Sequence, residues 1–380
     1  MPNIRKMMMA TAGASGGGIG TVGELWSWGN NARGQLGVGD TTHRCSPVQI
    51  GSSTDWKEVS SGGKPGKGGC FAIKEDYSLF AWGYNGFGRL GLGDTTDRSS
   101  PVQVGSLTDW KSAAFGFEAA FFVKTDGTLW AVGRNNYGQL GVGDTTDRSS
   151  PVQIGSLTTW RTVMGSRAQT SAIKTDGTLW MWGYGGVVFA GSSLSSPVQI
   201  GSDTNWANLD AGQQSVTASK TDGKLFAWGQ GDKGRSDHGN TTTYSSPVQV
   251  GSDTDWNADT TQYTGQASGE KQGHALKTDG TIWGWGENEN GELGAGDTTD
   301  RSSPVQFGGE STWTKLHSKY RHTLAINDSN ELWACGRNSD GCIGDGTGTN
   351  RSSPVQIGSL TTWIKARAGP QNSLAIKDPS

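Results

Sequence analysis

Residues 93–106 read GDTTDRSSPVQVGS, and nearly the same sequence recurs as GDTTDRSSPVQIGS at 143–156 and GDTTDRSSPVQFGG at 296–309. The central Ser-Pro-Val-Gln motif occurs seven times, with prolines at Pro47, Pro101, Pro151, Pro197, Pro247, Pro304 and Pro354. Successive prolines are 54, 50, 46, 50, 57 and 50 residues apart. A nearly constant period of about fifty residues predicts a repeat architecture in which each copy is one structural unit.

Two further motifs keep the same period. An aromatic run that ends in glycine, such as LWSWG at 25–29 and LFAWG at 79–83, also occurs seven times. A single tryptophan follows each Ser-Pro-Val-Gln motif, at Trp56, Trp110, Trp160, Trp206, Trp256, Trp313 and Trp363. These two sets account for all 17 tryptophans, so none is left over for an individual catalytic or binding site.

Each copy contains four runs that are typical of β-strands; in the second copy they begin at Trp110, Ala119, Thr128 and Ser150. An Asp-Gly pair, as at 126–127, separates the second run from the third and predicts a hairpin with a type I′ turn. Four short antiparallel strands repeated seven times predict an all-β fold, a seven-bladed β-propeller of four-stranded antiparallel blades.

The two ends of the chain each supply part of one copy. SLAIKD at 373–378 is a second strand without a following third strand, and GELWSWG at 23–29 is a third strand without a preceding second strand. We therefore expect the N- and C-terminal strands to pair, so that the last blade takes two strands from each end and closes the ring.

The sequence LWAVGRNNYGQLGVGDTTDRSSPVQIG at 129–155, with TDGTLWMWG at 175–183, resembles the regulator of chromosome condensation repeat family. The resemblance covers about nine-tenths of the chain and implies a seven-bladed propeller. The chain is similar to family members from bacteriophages and environmental bacteria. The fourth and fifth copies, at 182–199 and 228–249, lack the Gly-Gln-Leu-Gly motif of the family.

Composition and motifs favour neither a nucleic-acid nor a membrane partner. The formal net charge is −3, whereas nucleic-acid-binding domains usually carry a basic stripe. No apolar run approaches the roughly 20 residues of a membrane span.

Catalytic, cofactor and metal sites are not indicated either. The five histidines occupy scattered repeat positions: His43, His238, His274, His317 and His322. Cys335 and Cys342 bracket GRNSDG and are either free thiols or a disulfide or metal pair. The sequence therefore predicts a protein that is not an enzyme and that uses no cofactor and no metal.

The loop quoted first carries an acid and an arginine at fixed spacing, as in Asp94 with Arg98 and Asp144 with Arg148. These residues suit either a calcium or phosphate site or an Asx-turn fixed by an ion pair. Because each copy has too few carboxylates for a calcium cage, we favour the structural interpretation.

Partner-binding residues are expected where the copies differ, in the seven loops that follow the first strand. A rigid scaffold with variable loop tips is how repeat folds present binding surfaces. The candidates for partner binding are Lys64, Lys67, Phe117, Glu118, Arg167, Gln169, Gln213, Glu270, Lys271, Tyr320, Arg321 and Gln371.

Residues 1–23 form a leader rich in methionine and glycine, and residues 24–380 form the propeller. The glycine run GASGGGIG lacks the strand and helix of a phosphate-binding loop and is expected to be a spacer. Met7, Met8 and Met9 are the candidate anchor to a larger assembly.

The regular copies favour a non-enzymatic structural or adhesion module, a bacteriophage virion component found in head, fibre or tail. It would bind virion subunits through the leader, and a host surface protein or glycan through the loops. The resemblance implies, as the alternative, a protein-binding propeller such as the guanine-nucleotide exchange factors that act on small GTPases. The bacterial cytoplasm and secretion are the alternative locations, and the oligomeric state is left open.

Overall fold

In the computed structural model, residues 21–186, 191–258 and 266–379 are described. They form seven four-stranded antiparallel sheets, each of which is one blade. The fold class is therefore confirmed: the chain is an all-β, seven-bladed propeller. The leader residues Met7, Met8 and Met9 lie outside the described residues.

The strands follow one another within each blade in sequence order, and the blades are numbered here along the chain. Blade 1 contains Trp56–Lys64, Lys67–Lys74, Leu79–Gly83 and Arg98–Gln103. Blade 2 contains Trp110–Phe115, Ala119–Lys124, Leu129–Gly133 and Arg148–Gln153. Blade 3 contains Trp160–Gly165, Gln169–Lys174, Leu179–Gly183 and Leu194–Gln199. Blade 4 contains Trp206–Ala211, Ser215–Lys220, Leu225–Gly229 and Tyr244–Gln249.

Blade 5 contains Gln266–Ser268, Gln272–Leu276, Ile282–Gly286 and Arg301–Gln306. Blade 6 contains Trp313–Lys319, His322–Asn327, Leu332–Gly336 and Arg351–Gln356. Blade 7 contains Trp363–Ala368 and Asn372–Lys377, followed by Glu24–Gly29 and Arg44–Gln49. Within the described ranges, helix is confined to two short 3-10 turns, Gly86–Gly88 and Asp232–Gly234. No described helix is long and apolar enough to cross a membrane.

The ring closes as the sequence predicted. In blade 7 the N-terminal strand lies beside the C-terminal strand, with Leu25 opposite Ile376. An ion pair of 3.2 Å between Glu24 and Lys377 joins the same two strands at their edge. Two strands from each end of the chain therefore complete one blade, and the prediction is confirmed.

Neighbouring blades are joined by the aromatic run of one and the Gly-Gln-Leu-Gly motif of the other. Nε1 of Trp182 in blade 3 donates to the carbonyl oxygen of Gln139 in blade 2 at 2.8 Å. The next glycine, Gly141, has φ +75° and packs so closely that a Cβ would lie 2.6 Å from this indole nitrogen. A side chain at Gly141 would collide with the indole, which explains why most copies have glycine at this place.

The hairpin between the second and third strands differs from its predicted turn type. In blade 2 the N–H of Lys124 donates to the carbonyl of Thr128, and the N–H of Gly127 donates to the carbonyl of Lys124. Gly127 has a positive φ, whereas Asp126 does not. This pattern is a three-residue loop that ends in a left-handed glycine, so the type I′ prediction was wrong. An Asp-Gly pair is compatible with both the type I′ turn and the three-residue loop.

The acid and the arginine of the repeated loop stabilise the loop itself. Asp94 accepts the N–H of Thr96 at 2.9 Å and the amide of Asn85 at 3.0 Å, and it pairs with Arg98 at 2.5 Å. The bond from Thr96, together with Arg98, lowers the pKa of Asp94. The structural interpretation is confirmed, and the described residues contain no cluster of three or more metal-ligand side chains.

The cysteines are free thiols. Cys335 and Cys342 do not pair: Cys335 donates to the carbonyl of Glu292 at 3.4 Å, and Cys342 donates to that of Arg337 at 2.9 Å. Burial raises the pKa of Cys342 to about 12. Of the alternatives that the sequence left open for this pair, the structure therefore shows free thiols.

Candidate functional site

The loops that follow the first strands meet at one end of the ring, called here the loop face. The N–H of Gly66 in blade 1 donates to Oε1 of Gln371 in blade 7 at 2.6 Å. The N–H of Phe117 in blade 2 donates to the carbonyl of Ser166 in blade 3 at 3.0 Å. Corresponding backbone bonds run from Arg167 to Gln213 and from Glu270 to Tyr320. Loops from successive blades thus form one connected surface.

The candidate residues differ widely in their exposure on this face. Lys67 and Arg167 are exposed, whereas the side chain of Phe117 is buried. The other nine are half-buried: Lys64, Glu118, Gln169, Gln213, Glu270, Lys271, Tyr320, Arg321 and Gln371. Many of the candidates therefore bond to neighbouring loops as well as facing solvent.

Glu118 is the centre of an ion-pair network on the side of blades 1 and 2. Its carboxylate lies 2.8 Å from Nζ of Lys64 and 2.6 Å from the guanidinium of Arg134. Burial alone would raise the pKa of Glu118, but the hydrogen bonds and charges of Lys64 and Arg134 hold it below its usual value. The network leaves this side of the face with a cationic excess.

Arg321 is the corresponding centre on the side of blades 5 and 6, where acids predominate. It pairs with Glu270 at 3.2 Å, Glu287 at 3.4 Å and Glu289 at 3.7 Å. Lys271 lies 3.8 Å from Glu287. Burial raises the pKa of Glu287 in spite of the charges of Arg321 and Lys271. The two sides of the loop face therefore carry opposite electrostatic character.

Tyr320 and Gln371 connect loops. Tyr320 has φ +55° and accepts the side-chain amide of Gln272 on its carbonyl at 2.8 Å. Besides its bond to Gly66, Gln371 donates to Asp340 at 2.9 Å. Arg89, which replaces the glutamine of the repeat motif, is buried and donates to the carbonyls of Lys67 and Phe117. Loop positions on this face are thus fixed by side chains from several blades.

A cleft of about 590 Å³ opens among blades 2, 3 and 4 on the loop face. Of the predicted residues it brings together Lys64, Glu118, Arg167, Gln169 and Gln213. It does not include Lys67, Phe117, Glu270, Lys271, Tyr320, Arg321 and Gln371. The remaining lining comes from residues that the sequence did not single out, among them Arg134, Asn136, Tyr137, Gln139, Tyr184, Gln214 and Gln230.

Two tyrosines stand at this cleft. Tyr137 is 41% exposed and Tyr184 is 43% exposed, and their rings make an edge contact with centroids 5.0 Å apart. Phe87 on blade 1 is 38% exposed. The guanidinium of Arg134 lies 4.9 Å from the centroid of its ring. Comparison of the variable loops missed Phe87 and Tyr137 because they lie in another part of the repeat, directly before Gly88 and Gly138. This position and the one before it vary between copies while the following glycine is kept in six of them, and this signal could have found them.

Comparison with known proteins agrees with this architecture. The family model described as regulator of chromosome condensation (RCC1) repeat matches residues 22–64, 77–123, 126–173, 279–326 and 329–376. Yeast RCC1 (Prp20), solved with Kap60, superposes with a TM-score of 0.80 at 15% identity, covering 99% of this chain and 96% of that chain. At that identity the likeness shows the fold alone.

Two curated relatives match over shorter stretches. The ultraviolet-B receptor UVR8 of Arabidopsis thaliana is 42% identical over 86 residues, which are 22% of this chain and 19% of UVR8. Human protein RCC2 is 39% identical over 102 residues, which are 27% of this chain and 19% of RCC2. The matched stretches thus span about a fifth of each relative. The family matches cover more than half of the chain, which belongs to the regulator of chromosome condensation (RCC1) repeat family.

Proposed function

We propose that this chain is a non-catalytic protein-binding propeller whose cleft among blades 2, 3 and 4 receives an acidic segment of a partner protein. The observation that carries the proposal is the pair of exposed tyrosines, Tyr137 and Tyr184, beside Arg134 and Arg167 at one cleft. Tyrosine and arginine are enriched among the residues that dominate protein interfaces.

The tyrosines suit a contact surface because they are exposed and yet conformationally restrained. Each ring restrains the other through their edge contact, so little conformational freedom is lost when a partner covers them. Neutral amides from Asn136, Gln169, Gln213, Gln214 and Gln230 line the same cleft. Such groups donate to and accept from the backbone of an extended segment.

The charge of the cleft selects the partner. Three cations, Lys64, Arg134 and Arg167, and one acid, Glu118, stand among the described lining residues, so the excess is 3 − 1 = +2. Lys67, also exposed, belongs to the same loop as Lys64. Because the whole chain has a formal charge of −3, this local excess runs against the overall balance. Complementary charge steers association and discriminates among partners.

The yeast relative supports a protein partner as a class, since yeast RCC1 was solved bound to Kap60. That complex is a property of the yeast protein, and the partner of the present chain is proposed from the cleft alone. A glycan is the competing occupant, because aromatic and amide side chains suit it as well.

Peptide binding tests the proposal. Fluorescence polarisation compares a peptide rich in Asp and Glu around one aromatic residue with the same peptide carrying Asn and Gln. We expect at least tenfold tighter binding of the acidic peptide, and at least tenfold weaker binding to the variant Y137A/Y184A. Leu360→Ala, an exposed residue preceding the first strand of blade 7, is the matched control. Equal affinity for both peptides, or binding only of oligosaccharides in a parallel glycan panel, contradicts the proposal.

The proposed protein-binding function has two more specific forms. As a virion component, the chain would be tethered by residues 1–12 of the leader, and particles assembled with protein lacking these residues would incorporate less of it. Equal incorporation would exclude the leader as an anchor.

As an exchange factor, the alternative suggested by the fold shared with yeast RCC1, the chain would accelerate nucleotide release from a small GTPase. An unchanged release rate excludes that activity for the GTPase tested.

A further inference from the structure

A lysine follows the apolar part of the second strand in six of the seven blades. In blade 3 it is Lys174, which lies opposite Trp160, the first residue of the first strand. Because the first strand runs from Trp160 towards the loop face, this pair lies at the opposite end of the ring. The equivalents of Lys174 are Lys74, Lys124, Lys220, Lys277 and Lys377, and blade 6 has Asn327 instead.

The lysines of the other blades each pair with a nearby carboxylate. Lys124 in blade 2 lies 3.1 Å from Asp109, and Lys377 in blade 7 lies 3.2 Å from Glu24. The pairs in blades 1, 4 and 5 are Lys74 with Asp55, Lys220 with Asp203, and Lys277 with Asp253. Even the amide of Asn327 in blade 6 donates to a carboxylate, that of Glu331, at 2.7 Å. An acid beside this position is thus a regular part of the blade.

Blade 3 lacks this acid. The three positions that supply carboxylates in the other blades carry Leu157, Thr159 and Thr178 here. Within the described part of the chain Lys174 makes no ion pair, and its Nζ has no hydrogen-bond acceptor. The acid that follows in the hairpin, Asp176, instead accepts the N–H and the hydroxyl of Thr178, at 3.0 and 2.7 Å.

The pKa of the lysine reflects the missing carboxylate. Burial lowers the pKa of Lys174, and the charge of Asp176 opposes this shift only in part. Burial alone would also lower the pKa of Lys277 in blade 5, but its hydrogen bonds to Asp253 and Asp255 raise it. The ammonium of blade 3 therefore lacks the stabilisation that its equivalent receives.

Two tryptophans hold the ammonium of Lys174 in place. Its Nζ lies 3.5 Å from the ring centroid of Trp180 and 4.9 Å from that of Trp160. Lys174 is only 7% exposed. Cation–π attraction fixes the ammonium but supplies no oxygen or nitrogen acceptor for its three N–H donors. A buried ammonium without an acceptor is costly, so the site is suited to an acceptor from outside the chain.

The surface beside this ammonium is apolar. Leu157 occupies the position from which Asp203 contacts Lys220 at 2.7 Å in blade 4, so it lies next to Lys174. Leu157 is 46% exposed. The lysine site of blade 3, defined here as Leu157, Trp160, Lys174 and Trp180, thus combines a cation without a carboxylate and an exposed apolar side chain.

We propose that the lysine site of blade 3 binds the carboxylate of an aspartate or glutamate side chain of a partner protein, and that an apolar residue beside this acid packs on Leu157. The partner's carboxylate takes the place that Asp109 occupies in blade 2. A protein segment fits better than a free carboxylate, because it covers the leucine and excludes water from the new ion pair. The site lies at the other end of the ring from the cleft of the loop face and is independent of it.

Blade 2 provides a matched comparison. Residues 105–110 read GSLTDW and residues 155–160 read GSLTTW, so the two stretches differ only at Asp109 and Thr159. Leu107, the equivalent of Leu157, is 48% exposed. Exchanging the residues at 109 and 159 should therefore close one site and open the other without disturbing the blades.

Lysine side-chain NMR of the full chain tests the site, with the signal of Lys174 assigned from Lys174→Arg. The probes are the peptide acetyl-Leu-Glu-Leu-amide, its glutamine analogue and acetate, compared at constant ionic strength. We expect a saturable shift of the Lys174 signal with the glutamate peptide and none with the glutamine peptide. The Kd of the glutamate peptide should be at least fivefold lower than that of acetate.

The exchanged residues give the decisive variants. Thr159→Asp supplies the acid of blade 2 and should raise the Kd at least tenfold, while its thermal midpoint stays equal to or above that of the unmodified chain. Asp109→Thr removes the acid that pairs with Lys124, whose signal should then respond to the glutamate peptide. In the unmodified chain the signal of Lys124 should not respond.

A further variant separates this site from the cleft. Y137A/Y184A should leave the response of the Lys174 signal unchanged, since both tyrosines belong to the loop face. Equal responses to the glutamate and glutamine peptides, or an unchanged Kd in Thr159→Asp, would overturn the proposal. Acetate bound as tightly as the glutamate peptide would also overturn it, because the site would then select free organic acids rather than a partner protein.

Discussion

The rings of Tyr137 and Tyr184 meet edge to face across the boundary of blades 2 and 3, with centroids 5.0 Å apart. Both stay largely solvent-accessible, although most large side chains around them are packed between blades. A monomeric propeller gains little from leaving two aromatic rings exposed in contact with each other. Their position at a cationic cleft is instead what a protein-binding surface requires.

Ring closure is the first feature open to test. Deleting residues 24–29 removes the third strand of blade 7 and leaves the strand Asn372–Lys377 with an unpaired edge. We expect a sharp fall in the thermal midpoint, measured by circular dichroism, because the closing hairpin is lost. Deleting residues 1–12 is the control and should leave the midpoint unchanged. An unaltered midpoint in the first variant would argue against closure by the two ends.

Two tryptophans of one strand should differ in their contribution to stability. Trp182 is fully buried and donates to blade 2, whereas Trp180 is half-buried and donates to Thr178 at 2.8 Å within its own blade. Trp182→Phe leaves the carbonyl of Gln139 without this donor and should cost about 1–3 kcal/mol of unfolding free energy. Trp180→Phe should cost less than about 1 kcal/mol. Equal losses in urea unfolding would contradict the proposed blade contact.

Asp237 is a buried acid at a position where the repeat motif has glycine. It has φ +56°, and within the described residues neither of its carboxylate oxygens has a hydrogen-bond partner. Asp237→Gly should therefore stabilise the chain at neutral pH by about 1–3 kcal/mol, since it removes an unsatisfied buried group. Glycine also accepts the left-handed backbone without strain.

The same residue sets a pH dependence with a definite sign. Burial raises the pKa of Asp237 well above its usual value, so the folded state binds its proton more tightly than the unfolded state. Its contribution to stability is full at acidic pH and is lost as pH rises through the folded pKa. Unfolding measured at pH 4 and pH 8 should show this loss in the original chain and not in Asp237→Gly. A loss of equal size in both proteins would exclude Asp237 as its source.

The pH dependence of stability that Glu118 contributes should have the opposite sign. Its pKa is lowered in the folded state, so its stabilising contribution is present above the unfolded pKa and is lost as pH falls through the folded value. Glu118→Gln should remove that dependence and cost about 1 kcal/mol near neutral pH. The exposed pair of Lys224 and Asp222, removed by Asp222→Asn, is a suitable comparison and should cost less. If the stability of Glu118→Gln and of the unmodified chain depended on pH in the same way, the stabilising role of this ion-pair network would be contradicted.

Much of the fold was predictable because its signals are periodic. The Ser-Pro-Val-Gln period, the aromatic runs and the incomplete copies at the two ends predicted blades, strand order and closure. The turn type was not predictable from Asp126 and Gly127, since two hairpin geometries share that dipeptide. Hydrogen bonding across the loop is what separates them, and it depends on the register of both strands.

The candidate site was less accessible to sequence reasoning. Comparison of the loops identified Lys64, Glu118 and Arg167 as variable, but it did not indicate that Phe117 is buried. Tyr137 was missed since it lies directly before the Gly-Gln-Leu-Gly motif rather than in the loops that follow the first strands. His317 is isolated along the sequence, and only the closed ring brings it to a cavity that Arg367 also lines. Contacts among different blades, rather than local patterns, define these sites.

Charge reversal at the cleft shows whether this surface binds the partner. Arg167 is exposed, and among the described residues only its backbone N–H bonds to the next loop, so Arg167→Glu should fold normally. The measurement is the affinity of this variant for the acidic peptide and for a peptide of reversed charge. We expect at least tenfold weaker binding of the acidic peptide together with new binding of the basic one. Unchanged affinity for the acidic peptide in Arg167→Glu would contradict the assignment of this cleft as the partner-binding site.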